Sequence, residues 1–123
     1  MLKPPKPLER DIQRAVVSYL DALRIYNHHS ANGSVLAGDA RARAIQANAL
    51  KKAGVRPGFP DIQLIQRTSH GSRTGFFEIK REGEKLRPEQ EAFRDLCEDW
   101  RLPFAVVRSV QDAKETLERW GWL

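Results

Sequence analysis

Two short motifs, Gly58-Phe59-Pro60-Asp61 and Phe77-Glu78-Ile79-Lys80, decide the predicted fold of this chain. The first opens an extended run from Asp61 to Arg67, and the second closes another run from Gly75 to Lys80. The residues between the two runs, 68–74, are small and polar, so they predict a hairpin loop. Such a hairpin brings the two motifs together at one end of a sheet.

The second motif also predicts which side chains share a face. Because side chains alternate along a strand, Glu78 and Lys80 project on one face while Phe77 and Ile79 project on the other. Asp61 heads the neighbouring strand and lies beside the polar pair if the hairpin forms. We therefore expect two carboxylates and one ammonium to meet at a sheet edge, next to an apolar layer.

This combination of groups suits a hard divalent cation. Mg²⁺ takes oxygen ligands and usually binds one or two protein carboxylates together with water and substrate phosphate. We expect Asp61, Glu78 and the backbone carbonyl of Ile79 to hold Mg²⁺ or Mn²⁺. Lys80 would then orient the attacking water and stabilise charge on a phosphate. The alternative is a charged hairpin with an exposed Glu–Lys pair, which contributes little.

The ordered motifs resemble those of the PD-(D/E)xK nuclease superfamily, and the flanking residues resemble its VRR-NUC (virus-type replication-repair nuclease) branch. That branch shows a helix with an early Glu, then Gly-x-Pro-Asp, Glu-x-Lys, and a Leu-x-Pro-x-Gln that opens the next helix. The resemblance implies a restriction-endonuclease-like core whose site is completed by the early Glu, through a metal-bound water, and by the Gln. The matching residues, spread over nearly the whole chain, are Glu9, Gly58, Pro60, Asp61, Glu78, Lys80, Leu86, Pro88 and Gln90.

The resemblance further implies a substrate and an assembly. Stand-alone members of the family resemble Holliday-junction resolvases, act as homodimers and are often encoded by phages. By this analogy we expect a homodimer that cuts four-way DNA junctions. The alternatives are a nicking or restriction-type nuclease that acts on duplex or flapped DNA, and a DNA-binding module that has the same fold without catalysis.

Length and composition limit the class of protein. A chain of 123 residues predicts a single domain over residues 8–123, preceded by a flexible arm over residues 1–7 that contains three prolines. One cysteine excludes an internal disulfide, which fits a reducing compartment. Neither a membrane-spanning run nor the apolar core of a signal peptide is present, so we expect a cytoplasmic protein with no membrane partner.

Charge is distributed unevenly along the chain. Residues 1–60 hold ten Lys and Arg against four Asp and Glu, whereas residues 61–123 hold eleven against twelve. A basic half beside an acidic cluster suits a polyanion such as DNA, although solubility alone also accounts for a net charge of +5. The candidate DNA contacts are Asn27, His29, Asn32, Arg41, Lys51, Lys52, Arg56 and Arg81.

The remaining patterns complete an α/β fold in the order α-β-α-β-β-α-β-α, a small mixed sheet flanked by helices. Glu9 and Gln90 each stand three residues before the first apolar residue of a helical face, so both helix starts are expected to approach one polar site. For Glu9 the alternative is a favourable interaction with the helix dipole. The buried face of the third helix is predicted to consist of Phe93, Leu96, Cys97 and Trp100.

Overall fold

The computed structural model describes residues 2–30 and 36–123. Four helices and four strands follow one another within these residues in the predicted order. They are α1 (Glu9–Ala22), β1 (Tyr26–His29), α2 (Ala40–Lys52), β2 (Ile62–Thr68), β3 (Gly71–Ile79), α3 (Pro88–Asp99), β4 (Phe104–Val107) and α4 (Val110–Trp120).

The strands form one mixed sheet in the order β1-β2-β3-β4. The pairs β1–β2 and β2–β3 are antiparallel, and β3–β4 is parallel because α3 crosses over between them. This confirms the predicted α/β class with a small mixed sheet flanked by helices. None of the helices in the described part of the chain is long and apolar enough to cross a membrane.

The two faces of the sheet are packed differently. Apolar side chains of β2 and β3 point to one face, where they join α1 and α4 in the main core. On the other face, Phe93 of α3 meets Phe76 of β3 and Phe59 edge to face, with ring centroids 5.1 and 5.3 Å apart. The main core consists of Ile12, Val16, Leu20, Ile25, Ile62, Leu64, Phe77, Ile79, Val107, Ala113, Leu117 and Trp122.

The hairpin between β2 and β3 is tighter than the sequence predicts, and the loop expected over residues 68–74 is wrong. Thr68 pairs with Gly71, so only residues 69 and 70 form the turn. Polar side chains beyond it are satisfied within the ladder: Arg73 Nε donates to Gln66 Oε1 at 2.9 Å, and Thr74 Oγ1 donates to the Leu64 carbonyl at 2.8 Å. The small and polar residues at positions 71–74 therefore belong to strand β3 and not to a loop.

The buried face predicted for α3 is also wrong at one position. Cys97 is fully buried, and burial raises the pKa of its thiol to about 11. Trp100, in contrast, is 66% exposed. The helix ends at Asp99, so Trp100 caps it and no longer follows the helical spacing that directs Cys97 inward.

The N-terminal arm makes contacts with the turn that follows β3. Residues 2–8 are exposed and carry no regular structure. Lys6 Nζ nevertheless donates to the Glu82 carbonyl at 3.1 Å, and Arg81 Nη2 donates to the Lys6 carbonyl at 3.3 Å. The arm thereby lies alongside the end of β3.

Candidate active site

The register of the hairpin sets the two predicted carboxylates opposite each other. Ile62 pairs with Phe77, so the next residues along, Asp61 and Glu78, face one another across the two strands. Asp61 Oδ2 accepts a hydrogen bond from the Ile79 backbone N–H at 2.7 Å. A side chain rather than the neighbouring backbone satisfies that N–H, which holds the Asp61 carboxylate at the end of β3.

Gly58 allows the turn before Asp61 to pass against the start of α3. Its φ is +83°, in the left-handed region that favours glycine, and a Cβ at this position would lie 2.2 Å from the Glu89 carbonyl oxygen. Any larger residue would therefore push the turn and the helix apart. The close approach brings Gln90 of α3 and Asp61 to the same cavity.

Glu78 is the most enclosed carboxylate of the site. Its side chain is only 3% exposed, and its Oε1 accepts a hydrogen bond from Gln90 Nε2 at 3.2 Å. Burial, followed by the neighbouring Asp61 carboxylate, raises the pKa of Glu78 to about 9. Oε2 is buried without a hydrogen-bond partner among the described residues. Such an atom is an available ligand position, because buried polar atoms are rarely left unpaired.

Gln90 connects the start of α3 to this carboxylate. Its Oε1 accepts a hydrogen bond from the Arg87 backbone N–H at 2.9 Å, and its Nε2 donates to Glu78. The first bond assigns the amide, since only the oxygen can accept from an N–H. Gln90 is accordingly 5% exposed and serves both as a cap of α3 and as a donor to the site.

A cavity of about 320 Å³ collects the residues that the sequence predicts as catalytic. Lys80 is 7% exposed and follows Glu78 on the same face of β3. The cavity is lined by Glu9, Pro57, Gly58, Phe59, Asp61, Glu78, Lys80, Arg87, Glu89 and Gln90.

Glu9 enters the site from the first turn of α1. Burial raises the pKa of Glu9, a hydrogen bond with Glu84 raises it further, and the nearby positive charge of Lys80 opposes this shift. Glu9 therefore lies close to both Lys80 and Glu84, in addition to its position at the positive end of the helix.

The donor set fits a magnesium-type ion better than zinc. Among residues 2–30 and 36–123, no three His, Cys, Asp or Glu side chains are grouped to hold a metal, as a structural zinc site requires. Mg²⁺ needs only one or two carboxylates, with water and phosphate filling the other positions. The facing pair of Asp61 and Glu78, with the unpartnered Glu78 Oε2, provides that minimum.

The predicted DNA contacts near β1 differ in their surroundings. His29 Nδ1 lies 2.7 Å from the Asp61 carbonyl oxygen, directly behind the site. Asn27 Nδ2 donates to Asp21 Oδ1 at 2.8 Å and to the Ile25 carbonyl, so its amide is engaged on the α1 side of the sheet. Asn32 lies outside the described residues.

The other predicted contacts lie on α2 and on the turns. Arg41, Lys51 and Lys52 are exposed on α2, a helix without a buried residue. Arg56 Nη1 donates to the Lys51 carbonyl at 2.9 Å and so caps the end of that helix. Arg81 is partly buried and contacts the N-terminal arm.

Three charged residues near the site were missed by sequence reasoning. Arg87 and Glu89 line the cavity beside Gln90, and their place within the Leu86–Gln90 motif was an available signal. Glu84 interacts with Glu9, but its position depends on the turn after β3, which no local pattern predicts.

The sequence was compared with models of known protein families, with curated proteins and with solved structures. Residues 9–111 match the VRR-NUC domain model, a span that covers most of the chain and every residue lining the cavity. Neither the search of curated proteins nor that of solved structures found a significant match.

Proposed function

This chain belongs to the VRR-NUC family, which implies nuclease activity on DNA, and we propose that it is a metal-dependent endonuclease hydrolysing DNA phosphodiester bonds. The observation that carries the proposal is the facing pair of Asp61 and Glu78. One buried oxygen of Glu78 has no partner among the described residues, and Lys80 lines the same cavity. A structural ion pair rarely leaves a buried carboxylate oxygen without a hydrogen-bond partner.

Asp61, Glu78 and the Ile79 carbonyl would hold Mg²⁺ or Mn²⁺, with Glu9 acting through a water. A bound ion of this type polarises a phosphoryl oxygen and lowers the pKa of its water. A bound cation would also offset the repulsion between the Asp61 and Glu78 carboxylates. It would favour the ionised form of Glu78, whose pKa is raised to about 9 by burial and by Asp61.

The chain's own cations and amide supply the remaining functions. Lys80 orients the attacking water and stabilises negative charge on the phosphate, and its enclosure strengthens that effect. Gln90 holds the Glu78 carboxylate in one orientation by donating to Oε1. Arg87, at the rim of the cavity, is placed to contact a flanking phosphate.

For the substrate, we propose a branched four-way junction cut by a homodimer, as the likeness to stand-alone members of the family suggests. A two-fold symmetric dimer presents two equivalent sites to the two strands of a symmetric junction. The competing substrates are flapped DNA and plain duplex, cut by a nicking or restriction-type nuclease. A DNA-binding module without catalysis is less well supported, because binding alone requires neither the Asp61–Glu78 pair nor Lys80.

Cleavage of labelled four-way junction, flap and duplex DNA with Mg²⁺ or Mn²⁺ tests this function. Wild type is compared with Asp61→Asn and Lys80→Met. Asp112→Asn is the matched control, because Asp112 Oδ2 also accepts one backbone N–H, from Arg108 at 3.0 Å, but lies outside the cavity.

We expect paired symmetric cuts in the junction that are lost in Asp61→Asn, in Lys80→Met and with EDTA, and are retained in Asp112→Asn. Cutting of flap or duplex alone would retain the active site and reject the junction assignment. Binding of all three substrates without any cleavage would favour the binding module and overturn the enzyme.

A further inference from the structure

The face of the sheet that carries Asp61 and Glu78 is covered by α3 only over β3 and β4. Phe93 of α3 contacts Phe76 of β3 and Phe104 of β4 on that face. Toward β1 and the far end of β2, side chains on the same face are exposed. Within residues 2–30 and 36–123, the half of this face over β1 and the far end of β2 is therefore open to a partner.

The open half is defined by the register of β1 and β2. His28 pairs with Gln63 and Tyr26 pairs with Ile65, and paired residues project on the same side of an antiparallel sheet. Ile65 stands four residues after Asp61 on β2, so both lie on that side, and Arg67 extends the row. We call the surface formed by Tyr26, His28, Ile65 and Arg67 the open face.

The open face combines an exposed aromatic ring with one cationic side chain, Arg67, and one apolar side chain, Ile65. Tyr26 is 67% exposed and Ile65 is 40% exposed, while His28 and Arg67 are also exposed. The side chains that the strand register places on this side beyond Asp61 include no carboxylate. Aromatic rings that accept stacked bases, with cations for the backbone, are typical of surfaces that bind single-stranded nucleic acid.

The open face lies on the same side of the sheet as Asp61, which lines the cavity. Ile65 stands four residues after Asp61, and four residues along a strand span about 13 Å. Tyr26 lies beside Ile65 on the neighbouring strand, at a similar distance from Asp61. A stacked single strand rises about 3.4 Å per nucleotide, so roughly four nucleotides cover this distance. Within a duplex each base is already stacked between its neighbours. Only an unpaired base can therefore stack on Tyr26.

We propose that the open face binds an unpaired DNA strand leading away from the scissile phosphate, with a base stacked on Tyr26 and a phosphate at Arg67. This inference rests on the proposed nuclease function and narrows its substrate to branched DNA, a junction or a flap, in which at least about four nucleotides on one side of the cut are unpaired. Such segments occur where a branched or flapped DNA opens.

Binding in EDTA tests the open face separately from catalysis. The dissociation constants of blunt duplexes and of duplexes with single-stranded tails of two or six nucleotides, of either polarity, are measured by fluorescence anisotropy. Wild type is compared with Tyr26→Ala and Tyr26→Phe. Trp100→Ala is the matched control, because Trp100 is 66% exposed but caps α3 away from the open face.

We expect the six-nucleotide tail to tighten binding at least about fivefold over the blunt duplex, and the two-nucleotide tail to have little effect. Tyr26→Ala should abolish the gain, whereas Tyr26→Phe and Trp100→Ala should keep it. An equal loss of affinity for blunt and tailed DNA in Tyr26→Ala, or no loss, would overturn the inference. A change in sedimentation of Tyr26→Ala without loss of the tail effect would instead assign this surface to a second copy of the chain and would also overturn it.

Cleavage of the same DNAs with Mg²⁺ separates the two proposals. A Tyr26-dependent tail effect without cleavage of these DNAs or of the four-way junction would support the open face and overturn the endonuclease. Cleavage with equal affinity for blunt and tailed DNA would support the endonuclease and overturn the open face.

Discussion

Gln90 donates its amide Nε2 to Glu78 Oε1 at 3.2 Å while the same amide accepts the Arg87 N–H, so one side chain joins the start of α3 to strand β3. Glu78 is 3% exposed, and a buried carboxylate depends on its donors. Strand β3 and the start of α3 are therefore held in one geometry by an amide whose oxygen and nitrogen have different partners.

Replacing Gln90 by Leu should destabilise the protein by about 1–3 kcal/mol, because a buried carboxylate and a helix N–H both lose a partner. Urea unfolding measures the effect. Gln111→Leu is the control, since Gln111 Nε2 donates to Glu115 Oε1 at 3.1 Å on the exposed surface of α4. An equal loss of unfolding free energy in the two variants would mean that the buried Gln90 hydrogen bonds contribute no more to stability than an exposed one.

Glu78 should make metal-free stability fall as the pH rises. Burial and Asp61 raise its pKa from 4.5 to about 9, so between these values the folded protein keeps a proton that the unfolded chain has released. Stability then decreases by up to about 1.4 kcal/mol per pH unit in this window and levels off on either side. Glu78→Gln should remove the decrease and be more stable than wild type at neutral pH.

Urea unfolding at pH 5, 7 and 8.5 in EDTA checks the pH dependence. Glu115→Gln, an exposed change on α4, should follow the wild-type curve. If Glu78→Gln also loses stability between pH 5 and 8.5 as wild type does, another group controls the effect.

Mg²⁺ or Mn²⁺ should raise the Tm of the wild type, because an ion that binds only the folded chain stabilises it by mass action. The increase should be larger at pH 8 than at pH 6, since binding must displace the proton of Glu78, whose pKa is raised to about 9. Asp61→Asn should lose the increase and Asp112→Asn should keep it. A metal-induced rise that persists in Asp61→Asn would place the ion elsewhere.

Gly58→Ala should cost more stability than Gly54→Ala. Both glycines have positive φ, +83° and +101°, so each alanine carries a backbone cost of about 1–2 kcal/mol. Only at Gly58 would the added Cβ also meet the Glu89 carbonyl, at 2.2 Å, whereas nothing lies within 4 Å of it at Gly54. Thermal unfolding compares the two, and an equal cost would contradict the close packing of the turn on α3.

Lys51→Gln combined with Lys52→Gln should weaken binding to every DNA and flatten its salt dependence. Both lysines are exposed on α2, and each phosphate contact contributes about 0.9 to the slope of log K against log salt. Titrations from low to moderate salt measure the slope, with Lys114→Gln on α4 as the control. A changed preference for one base instead would contradict the phosphate-contact interpretation.

Local patterns were sufficient for the element order and for the polar face of β3. The alternation of Phe77, Glu78, Ile79 and Lys80 is a consequence of strand geometry, and it directs two side chains to the core and two to the site in any sheet. The family motifs, which follow one another in a fixed order, could likewise be identified from the sequence alone. For this reason Glu9 and Gln90 were selected as candidates although they lie far from Glu78 along the chain.

The length of the hairpin and the exposure of Trp100 could not be obtained in the same way. Residues 72–74 look like a loop until Gln66 and Leu64 are known to provide their partners across the strands. Trp100 fits the apolar spacing of α3, but the helix ends one residue earlier. The hairpin length depends on partners in the neighbouring strand, and the exposure of Trp100 depends on where the helix ends. Composition and apolar spacing predict neither.

By itself, the sequence determined the α/β class, the order of the elements and five of the side chains that line the cavity, because these follow from alternation, helical spacing and motif order. Only the tertiary structure decided that Asp61 faces Glu78, that Gln90 rather than a charged group is the donor to Glu78, and that Tyr26 is exposed on the same side of the sheet. The physical reason is that register, crossover and burial are set by contacts between segments, whereas a sequence pattern records only what one segment prefers.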